Sequence, residues 1–299
     1  MTSISALRGI LLPTTTPFDN NGEISTPAIT SNIKAWSARG VTGFVVLGST
    51  GERVHLDERE YLEVIEVSRA ATDSILIAGA GQQSTVNTIK EINSAARAGA
   101  QAVLVITPYF YRPAITQETL INYYTAVADS SPVPVLLYSM PPLTGIKIEP
   151  ETIARLSEHP NIIGVKDSSN DVAGFRRTVE LCPSDFAVMT GNGTVLVDAL
   201  RAGATGGILA VGCVVPEVCV EMFRLFAAGE FERAESLQVE LTPLASAVTT
   251  KYGIGGLKAA LDLAGYRGGS VRAPLRSPDE AARAEIKTLF DRIYKISHG

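Results

Sequence analysis

The sequence predicts a (β/α)8 TIM barrel followed by a C-terminal helical extension, and three observations carry that prediction. Eight short apolar runs recur along the first two thirds of the chain. Most are followed by a segment of helical periodicity, and the joints leading into several of them repeat one glycine pattern. Runs without in/out alternation are what parallel strands show when both faces are covered. Strands alternating with helices imply crossover units and a parallel sheet.

The runs span 9–15, 43–47, 75–78, 102–107, 133–139, 162–166, 186–190 and 207–211. Helical periodicity covers 58–71, 85–98, 117–128, 150–157 and 193–202. The joints are Arg39-Gly40-Val41-Thr42-Gly43, Ala98-Gly99-Ala100-Gln101-Ala102 and Ala202-Gly203-Ala204-Thr205-Gly206. Each places a glycine at a helix end, where positive φ costs least, with a strand starting at once. A doubly wound open sheet uses the same joints, but eight units favour closure. After about Val215 the alternation stops, and 217–228, 230–241, 256–263 and 278–296 all read as helices. Asp279 and Glu280 enrich the first turn of the last of these. Pro243 and Gly253-Ile254-Gly255-Gly256 are expected to mark the joints between them. The division that follows is a barrel over 1–228 carrying the site and an extension over 229–299 that packs on it and serves oligomerisation.

With 299 residues, 45% hydrophobic and 19% charged, the chain has ample material for a large core. A net charge of −5 and a pI near 5.4 give no electrostatic footprint for nucleic acid. Cys182, Cys213 and Cys219 are an odd set without framework spacing and read as reduced thiols of a cytoplasmic protein. His55, His159 and His298 lie far apart, with no zinc-binding spacing, so no metal site is expected. Residues 1–8 lack the apolar stretch of a signal peptide, and no apolar run reaches a bilayer-spanning length.

In α/β barrels the working residues sit where strands end and βα loops begin. The sixth such place is Ile162-Ile163-Gly164-Val165-Lys166-Asp167-Ser168. Period-2 alternation groups Ile162, Gly164 and Lys166 on one face, and with Lys166 turned to the barrel axis Gly164 would leave room for its stem. Desolvation there disfavours the ammonium, so a free amine able to form a Schiff base with a ketone is expected. Taken alone, such a lysine reads as one snorkelling to solvent; the other strand ends shift that balance.

Gly48-Ser49-Thr50-Gly51-Glu52 closes the second strand, placing two hydroxyls and several amides between glycines. Asp57 is a candidate cap for the helix behind it. The loop reads as an anion cradle sized for a carboxylate, or else as an ordinary turn, and it lacks the ending of a nucleotide-binding P-loop. Tyr138 closes the fifth strand, where its phenol could pass protons. Tyr109, Phe110 and Tyr111 follow the fourth as a relay, a pocket wall or a subunit contact.

Together these stretches resemble the Schiff-base, pyruvate-dependent lyases and aldolases, the family of dihydrodipicolinate synthase, N-acetylneuraminate lyase and 4-hydroxy-2-oxoglutarate aldolase. The resemblance runs from Gly9-Ile10-Leu11-Leu12-Pro13 to Arg272-Ala273-Pro274-Leu275 and looks closest to the 4-hydroxy-2-oxoglutarate aldolases. It rests on Leu137-Tyr138-Ser139-Met140-Pro141, on the segment from His159 to Ser168, and on Tyr252-Gly253-Ile254-Gly255-Gly256-Leu257-Lys258. It implies that Lys166 is the Schiff-base lysine, Tyr138 the proton relay, and Ser49 and Thr50 the seat of the pyruvyl carboxylate. It further implies Ser168 near a distal carboxylate, Gly191 and Ile208 lining the pocket by their backbone, a homotetramer of two tight dimers, and no metal or organic cofactor.

Two departures stand out. Leu143 occupies the place where dihydrodipicolinate synthases carry an arginine for the semialdehyde carboxylate, and a leucine makes no bidentate ion pair. Phe110 stands where many members place a tyrosine that reaches a neighbouring subunit's site, and it cannot relay a proton. The expected reaction is therefore cleavage of 4-hydroxy-2-oxoglutarate to pyruvate and glyoxylate. Pyruvate–aspartate semialdehyde condensation and 2-keto-3-deoxy sugar-acid aldolase or dehydratase chemistry are the alternatives within the class. A catalytically silent oxo-acid sensor is the alternative outside it.

Overall fold

The computed structural model describes residues 7–298. Most of the leader reading over 1–8, and the last residue of the extension, therefore lie outside the described residues. Eight parallel strands close into a barrel in sequence order. They are β1 Gly9–Pro13, β2 Gly43–Val46, β3 Ile75–Ala80, β4 Ala102–Ile106, β5 Val135–Ser139, β6 Ile162–Asp167, β7 Ala187–Thr190 and β8 Gly206–Ile208. The crossover helices are α1 Thr26–Ser37, α2 Glu58–Ala71, α3 Thr85–Arg97, α4 Gln117–Ser130, the short α5 Pro141–Thr144 with α6 Pro150–Ser157, α7 Val172–Leu181, α8 Leu196–Arg201 and α9 Pro216–Ala227. Three further helices complete the chain: α10 Phe231–Ser246, α11 Gly253–Leu263 and α12 Glu280–His298. Among the described residues no helix is long and apolar enough to cross a membrane.

Local chemistry sets the boundaries. Asp57 caps α2 in a reciprocal box, accepting the Glu60 amide at 2.8 Å while the Glu60 carboxylate accepts the Asp57 amide at 3.0 Å. The glycine joints close as the sequence predicts, with φ of +74° at Gly40, +109° at Gly99 and +101° at Gly203. Two helices escape the periodicity reading. In α1 the apolar contacts shrink to Ile29, Ile33 and Trp36 among polar neighbours, and α7 contains Gly174 and buries little beyond Phe175. Of the two expected joints, Pro243 lies inside α10 instead, whereas 253–256 does open a new helix: the break falls at Tyr252–Gly253, with φ of +56° at Gly253. Pro243 removes the donor for the Val239 carbonyl on an exposed face of α10, and the helix runs on to Ser246.

Two cores result. Leu11, Val45, Ile77, Leu104, Leu136 and Met189 fill the barrel, while the larger cluster lies between the sheet and the helices. Strand β6 departs from simple alternation. Val135 pairs with Ile162 but Leu136 pairs with Gly164, so Ile163 is an extra residue in a bulge. Ile162 therefore packs with Val165 in the outer core, not on the face of Lys166 as alternation alone requires. Gly164 also serves a different purpose from the expected one: a Cβ there would meet the Ala187 carbonyl at 2.5 Å, so its smallness lets β6 and β7 approach.

The segment after α11 is fastened to the mouth of the barrel through Arg272. Its guanidinium grips Glu60 with both arms, at 2.7 and 2.8 Å, donates to the His55 and Gly22 carbonyls, and lies 4.3 Å over the Phe18 ring. Arg272→Ala is expected to cost roughly 2–4 kcal/mol, between the values of exposed and buried pairs. Arg272 holds the Glu60 carboxyl below the usual carboxylate range. The stabilisation is thus present above the ordinary glutamate pKa, about 4.3, and is lost as pH falls through the lowered folded value. Thermal melts of both proteins should show a gap in Tm at pH 7 that narrows toward pH 3; a gap independent of pH would contradict this account.

Candidate active site

Four strand ends meet at one rim of the barrel. After β2 the chain makes a tight loop bracketed by two non-glycine residues of positive φ, Leu47 at +60° and Glu52 at +55°. Conformations of this kind cost about 1–3 kcal/mol each and persist only where the surroundings enforce them. A Cβ at Gly79 of β3 would collide with the Leu47 carbonyl, and one at Gly51 would come within 2.8 Å of the Leu47 amide nitrogen. Held in this way, the loop presents Ser49 toward β5, where its Oγ lies 3.1 Å from the Tyr138 Oη. Thr50 is buried within the same loop.

Tyr138 and Lys166 are direct neighbours in the β5–β6 register, and both are buried, at 3% and 4% exposure. The Lys166 Nζ sits 4.5 Å from the centre of the tyrosine ring. Room for its stem comes from Gly191, at the end of β7. A Cβ there would stand 2.7 Å from the Lys166 Cε and would land on the Ser168 Oγ. Gly191→Ala is accordingly expected to leave the fold intact but displace the amine, lowering kcat by about 10²-fold, the scale of an ångström-sized misplacement. Steady-state kinetics alongside a thermal melt would test this, and unchanged kcat would refute it. Asp167 is not a partner for the lysine. Its carboxylate accepts the Ser169 amide at 2.6 Å, and burial pushes it above the usual carboxylate range.

A cavity of about 370 Å³ opens above these groups, walled by Ser49, Tyr138, Tyr109, Leu104, Ile106 and Leu143 among others. Lys166 lies behind the tyrosine ring rather than on the cavity wall. The charged groups on the wall are already engaged: Glu52 by Lys258, and Arg53 by Glu91. The site can therefore offer an amine, a phenol and a hydroxyl in a line, inside mostly apolar walls.

The structure brings Ser49, Tyr138, Lys166, Ser168 and Gly191 together. Ile208 is fully buried on β8 beside Leu11, in the inner core. Tyr109 lines the cavity, but Phe110 and Tyr111 do not. Both are 70% exposed, with rings edge-to-face at 5.0 Å, because the Gln83 side chain accepts the amides of Tyr109 and Phe110 and turns the loop outward. His159 is a turn residue, its ring bridging Asp129 and the Asn161 amide. Cys213 and Cys219 are buried, and burial raises both thiols, Cys219 to about 12. Among the described residues, no three His, Cys, Asp or Glu side chains gather in a way that could hold a metal ion. Sequence reasoning missed Lys258, which binds Glu52 beneath the cradle. Its signal was present in the sequence: a single charge inside the otherwise apolar stretch 255–261 demands a buried partner.

A closed parallel barrel with a buried lysine beside a tyrosine at adjacent strand ends has the parts that a carbon–carbon lyase of the Schiff-base type requires. Comparison with known proteins narrows this further. The chain belongs to the dihydrodipicolinate synthetase family, whose model matches residues 6–293. It is 33% identical over 291 residues to a 4-hydroxy-tetrahydrodipicolinate synthase of Methanothrix thermoacetophila, covering 97% of this chain and 98% of that one. It is 35% identical over 285 residues to the same-named protein of Syntrophus aciditrophicus, covering 95% and 97%. The crystal structure of a dihydrodipicolinate synthase from Bacillus anthracis superposes with a TM-score of 0.91 at 31% identity, covering 95% and 97% of the two chains.

Proposed function

We propose that this protein joins or cleaves a carbon–carbon bond next to a pyruvyl unit held as an imine on Lys166. The observation that carries the proposal is the convergence of Ser49, Tyr138 and Lys166 at one rim. In this reading the Lys166 amine adds to the ketone carbon of pyruvate, and loss of water forms the imine. A methyl proton leaves, giving an enamine that attacks an aldehyde; hydrolysis of the product imine frees the amine. Tyr138, coupled to Ser49, shuttles the protons of addition and dehydration. Ser49, Thr50 and the loop amides seat the carboxylate, while Ser168 and the backbone of Gly191 and Ile208 complete the pocket floor.

For the aldehyde, the names of the relatives favour condensation with aspartate semialdehyde over the cleavage of 4-hydroxy-2-oxoglutarate expected from sequence. Leu143 keeps the second reading open. It stands 61% exposed at the cavity mouth, and the one arginine on the described cavity wall, Arg53, is already held by Glu91. The exposed Phe110–Tyr111 pair supports a subunit contact within a homotetramer, and we place the protein in the cytoplasm, with the reacting groups on 1–228 and the 229–299 extension packed beside them and adding Ile254 and Leu275 to the cavity wall. Borohydride reduction with pyruvate and peptide mapping tests the imine; no adduct on the Lys166 peptide would reject it. Coupled assays of semialdehyde condensation and glyoxylate release then rank the acceptors.

A further inference from the structure

The carboxylate cradle is held from behind by a buried charge pair that the reaction itself does not use. Glu52, the residue after Ser49-Thr50-Gly51, is almost wholly buried and in the left-handed region. One carboxylate oxygen accepts the Lys258 Nζ at 2.6 Å; the other accepts the Arg272 amide at 3.0 Å and faces the His55 Nδ1 at 3.2 Å. The same ammonium donates to the Thr16 carbonyl at 2.7 Å and the Ser270 carbonyl at 2.6 Å, so its three donors are all taken. Thr16 in turn donates its hydroxyl to the Gly51 carbonyl at 2.7 Å. One side chain on α11 thereby ties together the β1 loop, the cradle and the 270–272 segment. Burial lowers the Lys258 pKa while Glu52 opposes that shift.

We propose that the Glu52–Lys258 pair is a positioning device for the cradle, setting affinity for the 2-oxo acid rather than the rate of chemistry. This rests on reading the 48–51 loop as the seat of the pyruvyl carboxylate. The physical reason is the strained backbone at Leu47 and Glu52. Such a conformation needs an anchor on each side, and the Glu52 carboxylate, tied at both oxygens, is the downstream one. The line Thr16–Gly51 fixes the loop's outer edge. Neither contact touches the Tyr138 phenol or the Lys166 amine; the loop meets the phenol only through Ser49, on its upstream side, so loosening the downstream anchor should spoil the seat more than the reacting groups.

The test uses the full-length enzyme with two variants of different severity. In Glu52→Gln one end of the side chain becomes a donor and faces the Arg272 amide donor, breaking one anchor while keeping the shape. Thr16→Val removes only the hydroxyl bonded to Gly51. The expected results are a KM for pyruvate raised at least 10-fold in Glu52→Gln and about 3-fold in Thr16→Val, with kcat within 3-fold of wild type in both. A purely structural staple would lower the melting temperature and leave KM unmoved. Both KM values within twofold of wild type overturn the proposal. A Glu52→Gln variant that folds with KM within twofold of wild type overturns it whatever Thr16→Val does. Where Glu52→Gln does not fold, the double variant Glu52→Gln/Lys258→Met, which removes both charges of the pair together, is read in its place. A KM raised at least 10-fold there supports the proposal, while an unmoved KM or a failure of this variant too to fold overturns it. Borohydride trapping on the wild type separates the two levels. No adduct there overturns the functional reading and the pair's role with it, whereas an adduct with unmoved KM values overturns the pair alone.

Discussion

Lys166→Ala is expected to lower kcat by about 10⁴-fold or more and to abolish borohydride-dependent attachment of pyruvate. Losing the nucleophile of a covalent mechanism removes the intermediate itself, and catalytic groups that act as a unit do not compensate for one another. The fold should survive. The lysine's stem lies between the ring of Tyr138 and Gly191, and alanine leaves both where they are. Two measurements on one preparation decide the matter: a thermal melt to establish folding, and turnover with peptide mapping after reduction. A folded variant that retains turnover within tenfold of wild type would remove the imine from the mechanism.

Tyr138→Phe carries the second largest effect, a loss in kcat of about 10²–10⁴-fold, the range for a positioned acid–base group. The substitution deletes one oxygen and keeps the ring that fills the inner core and lies against the Lys166 amine. Pyruvate should still bind, because the cradle lies on another strand, so KM should change little. Pre-steady-state trapping should show the imine forming slowly instead of not at all, which separates a proton relay from a nucleophile. Imine formation at wild-type speed would move the relay elsewhere, with Tyr109 on the cavity wall as the nearest candidate.

The parts of the fold and site legible in the sequence are those governed by local rules. Strand positions, the capping box at Asp57 and the glycine joints each depend on a few adjacent residues, and the strand-end rule then located Ser49, Tyr138 and Lys166 without any knowledge of tertiary contacts. What the sequence hid was set by partners distant in the chain. Gly191 makes room for the lysine stem from a neighbouring strand, a task that sequence alternation assigned to Gly164. The outward turn of Phe110 and Tyr111 depends on the Gln83 side chain. Lys258 reaches Glu52 across 206 positions. Helices α1 and α7 were faint because their buried faces are narrow, so periodicity had few apolar residues to work with.

The bulge in β6 carries an implication for how this site tolerates mutation. Downstream of Ile163, the orientation of Lys166 is dictated by ladders to β5 and β7 on both sides. Upstream, Ile162 is laddered to Val135 of β5 alone and packs into the helical layer. The extra residue acts as a clutch between them: drift in the preceding turn can slip there without rotating the amine. Insertions and deletions in evolving lineages should therefore accumulate ahead of Ile163 and stop abruptly after it.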